Sequence, residues 1–485
     1  MDQSLTSLQP QNVWHYFEEI CKIPRPSKNE AQTRNYLLEF AKLHHLEANT
    51  DDAGNVVIRK EAKPGFEDKP IVILQSHMDM VCEKNQDSLH NFEIDAIQPY
   101  IDGEWVKARN TTLGADDGIG MAAQLAILES DDIPHGSIEC LFTVDEETGL
   151  TGASAIQPGF LKGRILINLD SEDEGELFIG CAGGIDTLAE LQFKRRVVPV
   201  NYLPYRIKVT GLKGGHSGDD IHKGRGNANK ILNRFLWNAS NRYNIRLAQI
   251  DGGNLRNAIP REAEAVILVP FKTENMLLEY FKEFYTEMVE ELKYTEPHFC
   301  LTLESTTHPE AIINKKSQQR LLNAIYACPH GVISMSQRMP GMVETSTNLA
   351  SIKITGPNTL AVNTSQRSDL ESAKTDIASM VESVFLLAKF KVTHSDGYPG
   401  WTPNPSSRIL NTTIQSYKNL FGNEPRVRSI HAGLECGLFL KKYPYLDMVS
   451  FGPTLRDVHS PDEKIHIPSV DKFWKLILET LKNVS

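Results

Sequence analysis

Short apolar runs of strand length alternate with helical patterns in the first third of the chain, and this alternation limits the possible folds more than any other feature. Buried strands are predicted at Asn55–Arg59, Ile71–Gln75, Ser137–Val144 and Ile165–Leu169. Helices are predicted at Asn12–Ile23, Ala31–His44 and Gly118–Leu128, where apolar residues recur at helical spacing. Strands and helices in this order predict an α/β layer with a largely parallel sheet.

The length of the chain indicates more than one domain, because 485 residues exceed what one hydrophobic core usually organises. Near Phe193–Val200 the strand pattern becomes less regular, and it stays so until the Gly/Pro-rich turn at 397–405. After that turn a helix is predicted at Ser407–Leu420, a buried strand at Met448–Phe451, and a closing helix at Ser469–Leu481 with Ser469 as its N-cap. The pattern predicts one α/β domain built from residues 1–184 and 398–485, with residues 185–397 inserted as a second domain.

The charge and cysteine content narrow the possible partners and compartments. The net charge of -11 argues against nucleic acid and against an anionic membrane surface, since both need a basic footprint. The N-terminus lacks the pattern of a signal peptide, and no apolar stretch is long enough to span a bilayer. The 7 cysteines are scattered without a CxxC pair, which is typical of free thiols in a reducing compartment. We therefore predict a cytoplasmic protein without nucleic-acid or membrane partners.

Histidine and carboxylate side chains recur just after the predicted strands or just before a predicted helix. They are His77 and Asp79 in SHMDM, Asp116 in TLGADDGIG, Glu146 and Glu147 in VDEETG, Asp170 in NLDSE, and His459 in DVHSPDE. In open α/β sheets, ligands bind outside the carboxyl ends of the strands. Five separate segments are thus expected to bring these groups to one edge of the sheet.

Imidazole and carboxylate groups without thiolate suit zinc, manganese or cobalt at a hydrolytic site. The carboxylate of Asp116 can bridge two cations about 3.5–4 Å apart. His77 and Asp170 can then complete the ligands of one ion. Glu147 and His459 can complete the ligands of the other ion. A water shared between the two ions would be acidified into a hydroxide nucleophile.

Three further carboxylates have predicted roles beside these ligands. Asp79 lies two residues after His77, where it can accept the other N–H of the imidazole and fix its tautomer. Glu146 is the predicted general base, which takes the proton of the water and passes it to the leaving amine. Asp117 is predicted to cap the following helix. Each short motif alone is common on protein surfaces, but five in order are hard to explain by chance.

The segments HMDM, GADDGIG, DEETG, NLDSE and VHSPDE resemble the metal-site segments of the dinuclear zinc aminoacylase/carboxypeptidase superfamily. With longer stretches such as IGCAGGID, GLKGGHSG and IHAGLECGLF, the chain is similar to the aminoacyl-histidine dipeptidases, also called cytosol non-specific dipeptidases. The similarity runs from about Pro24 to the last helix. It implies a phosphorylase/hydrolase-like catalytic domain, with a mixed sheet flanked by helices, and an inserted α+β lid and dimerisation domain.

The resemblance implies the same ligands and the same roles for Asp79 and Glu146. It also implies a cis peptide bond after Asp116. His216, in GGHSG, resembles a lid histidine that polarises the scissile carbonyl or stabilises the oxyanion, in its own or in the partner subunit's site. The implied homodimer forms through the lid.

Substrate contacts are also implied by the resemblance. Asn257 in RNAIP and Arg367 in SQRSD resemble lid residues that hold the C-terminal carboxylate of the substrate. Glu435 is a departure, because the superfamily often has an Asp-containing Gly-rich segment where this chain has HAGLECG. We interpret Glu435 either as the partner of the substrate's free α-ammonium group or as an ordinary loop glutamate.

The expected activity is hydrolysis of unblocked dipeptides, including Xaa-His dipeptides, by a metal-bridging water with Glu146 as general base. Two divalent ions are implied, zinc foremost, with cobalt or manganese as alternatives. An N-acyl amino acid deacylase or another small-peptide exopeptidase would share this chemistry. A non-catalytic metal- or peptide-binding protein is the other alternative, although a mere binder needs neither Asp79 nor Glu146. GLKGGHSG lacks the ending of a phosphate loop, and no GxSxG motif indicates a serine hydrolase.

Overall fold

The computed structural model describes residues 4–485 and divides them into two compact units. Unit 1 contains the described residues up to Gly180, together with Trp401–Ser429 and Leu434–Ser485. Unit 2 contains Cys181–Gly400 and the short return segment Ile430–Gly433. That return segment lies inside the stretch which the sequence assigned to the first domain.

The helices within the described residues are α1 Gln11–Cys21, α2 Ala31–Leu43, α3 Ala115–Glu129, α4 Glu146–Gly149, α5 Thr151–Ala155, α6 Ala228–Tyr243, α7 Glu274–Leu292, α8 Lys315–Ala327, α9 Glu371–Leu387, α10 Arg408–Phe421, α11 Cys436–Lys442 and α12 Ile467–Asn483. The helices predicted in the first third of the chain correspond to α1, α2 and α3. Their bounds differ by no more than a turn from the predicted ones, because apolar periodicity marks the packed part of a helix and not its ends.

The strands are β1 Glu47–Thr50, β2 Val56–Lys60, β3 Val72–His77, β4 Pro99–Asp102, β5 Trp105–Ala108, β6 Ile138–Thr143, β7 Ile165–Asn168, β8 Glu176–Cys181, β9 Gly183–Gln192, β10 Arg195–Arg196, β11 Tyr202–Thr210, β12 Gly215–His216, β13 Arg246–Gly252, β14 Ala258–Ile259, β15 Ala263–Pro270, β16 Cys300–Ser305, β17 Ile312–Ile313, β18 Gly331–Met335, β19 Val343–Gly356, β20 Thr359–Ser368, β21 Lys391–His394, β22 Arg426–Ile430, β23 Asp447–Ser450, β24 Leu455–Arg456 and β25 Lys464–His466. The four buried strands predicted before residue 170 correspond to β2, β3, β6 and β7.

The core of unit 1 is an eight-stranded sheet in the order β1-β2-β6-β3-β7-β23-β8-β22. Strands β6, β3, β7 and β23 run parallel to one another, as the alternation of strands and helices predicts. The pairs β1/β2, β2/β6 and β23/β8 are antiparallel, so the sheet is mixed and the expectation of a largely parallel sheet was wrong towards its edges. One cause is local: a short turn joins β1 to β2, and such a turn can connect only antiparallel neighbours.

Helix α3 carries small residues where it packs most closely. It lies against α1 and β3, and its side chains from Gly118 to Leu128 are buried. A Cβ at Gly118 would lie 2.7 Å from Nη2 of Arg25 and 3.3 Å from Cε2 of Phe17, so this glycine lets α3 pack closely against α1.

Unit 2 is built on an antiparallel sheet. Its strands run in the order β16-β11-β15-β13-β19-β20-β9-β21, and β18 pairs with β19. Helices α6, α7, α8 and α9 supply the apolar side chains that cover it, including Phe235, Phe284 and Phe385. The less regular strand pattern after Phe193 thus reflects a change from a mixed sheet to an antiparallel one.

The closing helix begins earlier than predicted. Helix α12 starts at Ile467, and Pro468 lies in its first turn, where the missing N–H of proline costs nothing. Ser469 is therefore inside the helix and not its N-cap. Its hydroxyl donates to the carbonyl of His466 at 2.6 Å and accepts from the N–H of Thr454 at 2.8 Å.

Among residues 4–485, no helix combines the length and the apolar character needed to cross a bilayer.

Candidate metal centre

Five of the sequence-predicted side chains meet at the carboxyl edge of the parallel strands in unit 1. They are His77 at the end of β3, Asp116 at the start of α3, Glu147 in α4, Asp170 after β7, and His459 in the loop between β24 and β25. Possible ligand atoms lie within 4.8 Å of one another in the set His77, Asp116 and Asp170 and in the set Asp116, Glu147 and His459. Asp116 belongs to both sets.

The two carboxylate oxygens of Asp116 face two different histidines. Its Oδ1 lies 3.0 Å from Nε2 of His77, and Asp170 Oδ1 lies 3.7 Å from the same nitrogen. Its Oδ2 lies 3.2 Å from Nε2 of His459, and Glu147 Oε2 lies 3.1 Å from that nitrogen. The arrangement therefore has two halves that share one carboxylate.

These distances fit a pair of divalent cations. Two ligand atoms bound tetrahedrally at about 2.0–2.1 Å from one zinc ion lie about 3.3 Å apart. The separations around the two histidines, 3.0 to 3.7 Å, bracket that value. In addition, Oε1 of Glu147 is buried without a hydrogen-bond partner, as expected for an oxygen that binds a metal ion. The donor set thus fits two ions of the zinc, cobalt or manganese type.

The surrounding carboxylates make this site strongly attractive to positive charge. Burial opposes a charge on His77, but Asp170, Asp116 and Asp79 outweigh it and raise the pKa of His77 well above its usual value. Hydrogen bonds that the His459 ring donates to Asp116 and Glu147 raise the pKa of His459 to about 11. A divalent cation would satisfy the same carboxylates by replacing these protons.

Asp79 has the predicted contact and a second one that the sequence did not indicate. Its Oδ1 lies 3.4 Å from Nδ1 of His77, the ring nitrogen that faces away from Asp116, and its backbone carbonyl lies closer to that nitrogen, at 3.1 Å. Its carboxylate also accepts the N–H groups of Glu146 at 3.0 Å and Glu147 at 3.2 Å, and the hydroxyl of Ser27 at 2.7 Å. Burial raises the pKa of Asp79, but the hydrogen bond and the charge of His77 outweigh burial and lower the pKa to about 2. Asp79 therefore remains charged and fixes both the histidine and the glutamate turn.

Glu146 lies beside the ligand cluster. One of its carboxylate oxygens is within 4.8 Å of possible ligand atoms of both His77 and Glu147. Burial raises the pKa of Glu146 well above its usual value; the charge of His77 opposes this shift, and Asp170 and Glu147 add to it. A raised pKa makes the carboxylate of Glu146 a stronger proton acceptor.

The peptide bond between Asp116 and Asp117 is cis, as the resemblance implies. Asp117 has non-helical backbone angles, and its Oδ1 accepts the N–H of Gly120 at 3.1 Å. This contact is the N-cap predicted for Asp117, so the regular part of α3 begins just after the ligand Asp116.

Glu435, interpreted from the sequence either as a substrate contact or as an ordinary loop glutamate, is buried in the turn before α11. It lies just before α11 with none of its surface exposed, and its Oε2 accepts from Gln75 at 2.6 Å and from Thr143 at 2.7 Å. Its Oε1 is buried without a partner. Burial raises its pKa to about 8. The predicted contact with a substrate ammonium group is untested, but an unpartnered buried oxygen is compatible with it.

In unit 2, two of the predicted site residues, His216 and Arg367, belong to one cluster around Asp219. His216 lies in β12, with its Nδ1 3.4 Å from Asp219 Oδ2, and the charge of Arg367 in β20 also acts on Asp219. Arg367 donates to the hydroxyl of Tyr398 at 3.1 Å, while its buried Nε has no partner. Asn257 is exposed and joins the cluster only through its carbonyl, which accepts the N–H of Ser217 at 2.7 Å.

His431 is a member of this cluster that sequence reasoning missed. Its Nε2 lies 2.7 Å from the hydroxyl of Ser346. Burial, reinforced by the charge of Arg367, lowers the pKa of His431 to about 3, so the ring is neutral. The histidine in IHAGLECGLF was visible in the sequence, but nothing in its spacing linked it to Arg367.

The fold and the shared-carboxylate site are those of a family of metallopeptidases. Residues 73–483 match the Peptidase family M20/M25/M40, and the chain belongs to that family. The resemblance stated from the motifs, the α/β fold and the assignment as a hydrolytic enzyme are thereby confirmed.

Individual relatives are similar over the whole chain. The chain is 44% identical over 480 residues to the cytosol non-specific dipeptidase of Escherichia coli strain K12, covering 99% of both proteins. It superposes on the crystal structure of an aminoacylhistidine dipeptidase from Vibrio alginolyticus with a TM-score of 0.92 and 44% identity, covering 100% of this chain and 98% of that one. A tripeptidase from Staphylococcus aureus, with 18% identity and a TM-score of 0.57 over 98% of this chain and 99% of that one, shares the fold alone.

Proposed function

We propose that the chain is a metal-dependent dipeptidase that hydrolyses unblocked dipeptides, including dipeptides that end in histidine. The observation that carries the proposal is the carboxylate of Asp116, which presents one oxygen to His77 and the other to His459. The names of the E. coli and Vibrio relatives, each 44% identical to this chain, support dipeptides as the substrate class.

Five side chains would hold the metals: His77 and Asp170 on one side, Glu147 and His459 on the other, and Asp116 between them. Bound divalent ions supply positive charge that acidifies water and polarises a carbonyl. Zinc is our first choice, and cobalt or manganese can share the same nitrogen and oxygen ligands.

Glu146 is the proposed general base. Its carboxylate lies beside the proposed ligand atoms but is not one of the five proposed ligands. It can therefore take a proton from water and deliver it to the leaving amine. Asp79 supports this step indirectly, because it accepts the N–H of Glu146 and so fixes the turn that carries the base. It also orients His77.

The cluster in unit 2 is proposed to recognise the substrate. Arg367 is a buried cation whose Nε has no partner, which suits a substrate carboxylate. His216 is proposed to stabilise the oxyanion and Asn257 to assist in holding the carboxylate, in the roles that the motifs resemble. We propose Glu435 as the contact for the substrate's α-ammonium group, since one of its oxygens is unpartnered.

A homodimer formed through unit 2 and a cytoplasmic location remain part of the proposal. The location agrees with the name of the E. coli relative, a cytosol dipeptidase.

The substrate class is tested with a panel of Xaa-His, β-Ala-His, Cys-Gly and N-acetylated dipeptides, each measured with and without added metal. We expect hydrolysis of the dipeptides with a free amino group, and loss of hydrolysis on N-acetylation because an acetyl group removes the charge that Glu435 would bind. Efficient cleavage of the N-acetylated compounds, with little cleavage of the free dipeptides, would contradict the proposal and favour an N-acyl amino acid deacylase.

The role of Arg367 is tested by Arg367→Lys. Lysine keeps the charge but lacks the planar fork that binds a carboxylate through two parallel hydrogen bonds. We expect a higher KM for dipeptides with a smaller change in kcat, as for loss of a binding contact. The matched control is Arg256→Lys, since Arg256 has 68% of its side chain exposed. An unchanged KM in Arg367→Lys would assign carboxylate binding to another group.

A further inference from the structure

The segment Leu113–Asp116 carries the shared ligand of the proposed metal site, and its backbone is held from two sides. It is buried up to Ala115, so its N–H and C=O groups need partners inside the protein. The four N–H groups donate to Glu463, and the carbonyl of Gly114 accepts from Arg25 as well as from the N–H of Gly118. Neither Glu463 nor Arg25 belongs to the proposed ligand set.

Glu463 binds the N–H side of the segment. Its Oε2 accepts from Leu113 at 2.8 Å and from Gly114 at 3.1 Å. Its Oε1 accepts from Ala115 at 2.8 Å and from Asp116 at 3.5 Å. The side chain is only 2% exposed, and four consecutive amides surround its carboxylate. Charged acceptors of this kind form the stronger class of hydrogen bonds.

Arg25 binds the opposite, carbonyl side of the segment. Its Nη2 donates to the carbonyl of Gly114, and its Nη1 donates to the carbonyls of Met78 at 3.1 Å and Asp79 at 2.7 Å. The guanidinium is 2% exposed and lies between the segment with Asp116 and the segment after β3.

The close approach of Arg25 explains the glycine at position 114. Gly114 has a φ of 68°, in the left-handed region. A Cβ there would lie 2.6 Å from Nη2 of Arg25 and 2.8 Å from Sδ of Met80. A larger residue would force the guanidinium off the carbonyl.

Three ligand-bearing segments are connected through these two side chains. Arg25 joins the segment of His77 to that of Asp116. Glu463 lies four residues after His459, in the loop that carries this histidine, and its own N–H donates to the carbonyl of Ser460 at 3.0 Å. Its carboxylate joins that loop to the segment of Asp116. A shift of either side chain would move Asp116 relative to one of the two histidines.

We propose that Arg25 and Glu463 are positioning residues that fix Asp116 so that one of its carboxylate oxygens faces His77 and the other faces His459, the arrangement that would hold two metal ions. This inference rests on the proposed dinuclear function. Both residues act through the backbone of residues 113–116 and need no contact with substrate.

The test begins with Glu463→Gln, because glutamine has the same shape but offers only one acceptor oxygen and directs an NH₂ group at amides that are themselves donors. We expect the affinity for Zn²⁺ to fall by about 10–100-fold for at least one of the two ions, as for other residues that orient metal ligands. Zn²⁺ titration calorimetry of the metal-free protein and the absorption spectrum of the Co²⁺-substituted protein measure this. We further expect kcat to fall at limiting metal and to recover partly at excess metal, with KM unchanged.

The matched control is Asp462→Asn, which removes one negative charge from the adjacent, exposed residue. Arg25→Lys is the second variant, because lysine keeps the charge but offers one nitrogen on a flexible chain, where Arg25 uses Nη1 for Met78 and Asp79 and Nη2 for Gly114. Its control is Lys22→Gln, with 58% of its side chain exposed. Both controls should bind two ions as the unaltered protein does.

The outcomes separate this inference from the proposed function. If the unaltered protein does not bind two ions, the proposed function fails. If it binds two, and Glu463→Gln and Arg25→Lys also do so with unchanged affinity and Co²⁺ spectrum, only the positioning role fails. Failure of both variants to fold, judged by circular dichroism of the metal-free proteins, would also overturn it, since both residues would then serve the fold and not the site.

Discussion

Changing Glu146 to glutamine should lower kcat by about 10²–10⁴-fold, the usual effect of losing a general base. This corresponds to about 3–5 kcal/mol in the barrier for the chemical step. Glutamine keeps the size of the side chain and the backbone N–H that Asp79 accepts, but it cannot take a proton from water. The bound metal and KM should therefore change little.

The measurement is steady-state kinetics on one Xaa-His dipeptide together with the metal content of the purified protein. Glu61→Gln, the same chemical change at an exposed site, serves as the control and should be fully active. A rate near that of the unaltered protein in Glu146→Gln would mean that another group accepts the proton. Loss of metal in this variant would instead make Glu146 a ligand.

Asp116→Asn should abolish hydrolysis and reduce the metal content below two ions per chain. Asparagine keeps one carbonyl oxygen but loses the charge, so it cannot serve both His77 and His459 as the carboxylate does. Chelation should likewise remove the activity of the unaltered protein, and added zinc, cobalt or manganese should restore it. Added metal should not restore Asp116→Asn.

Elemental analysis of the purified proteins and activity after metal repletion provide the measurements. Asp132→Asn, at an exposed position, is the matched control. Two ions bound with normal activity in Asp116→Asn would contradict the shared-carboxylate geometry, whereas activity that resists chelation would contradict metal dependence as a whole.

The convergence of the five proposed ligands was predictable from sequence, because each of them lies in a short motif next to a strand or helix that is marked by its own apolar residues. His77 follows β3 and Asp170 follows β7, and parallel neighbours bring their carboxyl ends to the same edge. Local sequence patterns and the common edge formed by the carboxyl ends of parallel strands thus determine where these residues lie. Only the structure gives the distances between them.

The groups that support the ligands were not predictable in the same way. Glu463 binds backbone amides, and a backbone amide leaves no trace in the sequence. The same holds for Asp79, whose bonds to the N–H groups of Glu146 and Glu147 are independent of those side chains. His431 lies in the short return segment and Arg367 in strand β20, so only the folded chain brings them near one another.

Strand β23 has a consequence for how the chain is made. It lies between β7 and β8 in the sheet, yet it comes after all of unit 2 in the sequence. At a synthesis rate of about 5–20 residues per second, β23 is made roughly tens of seconds after β7 and β8. During this time β7 and β8 each have an unpaired edge, and unpaired strand edges can pair with other chains. His459 and Glu463 emerge later still. A nascent chain can therefore assemble the proposed ligand set only after the segment that carries His459 has been made.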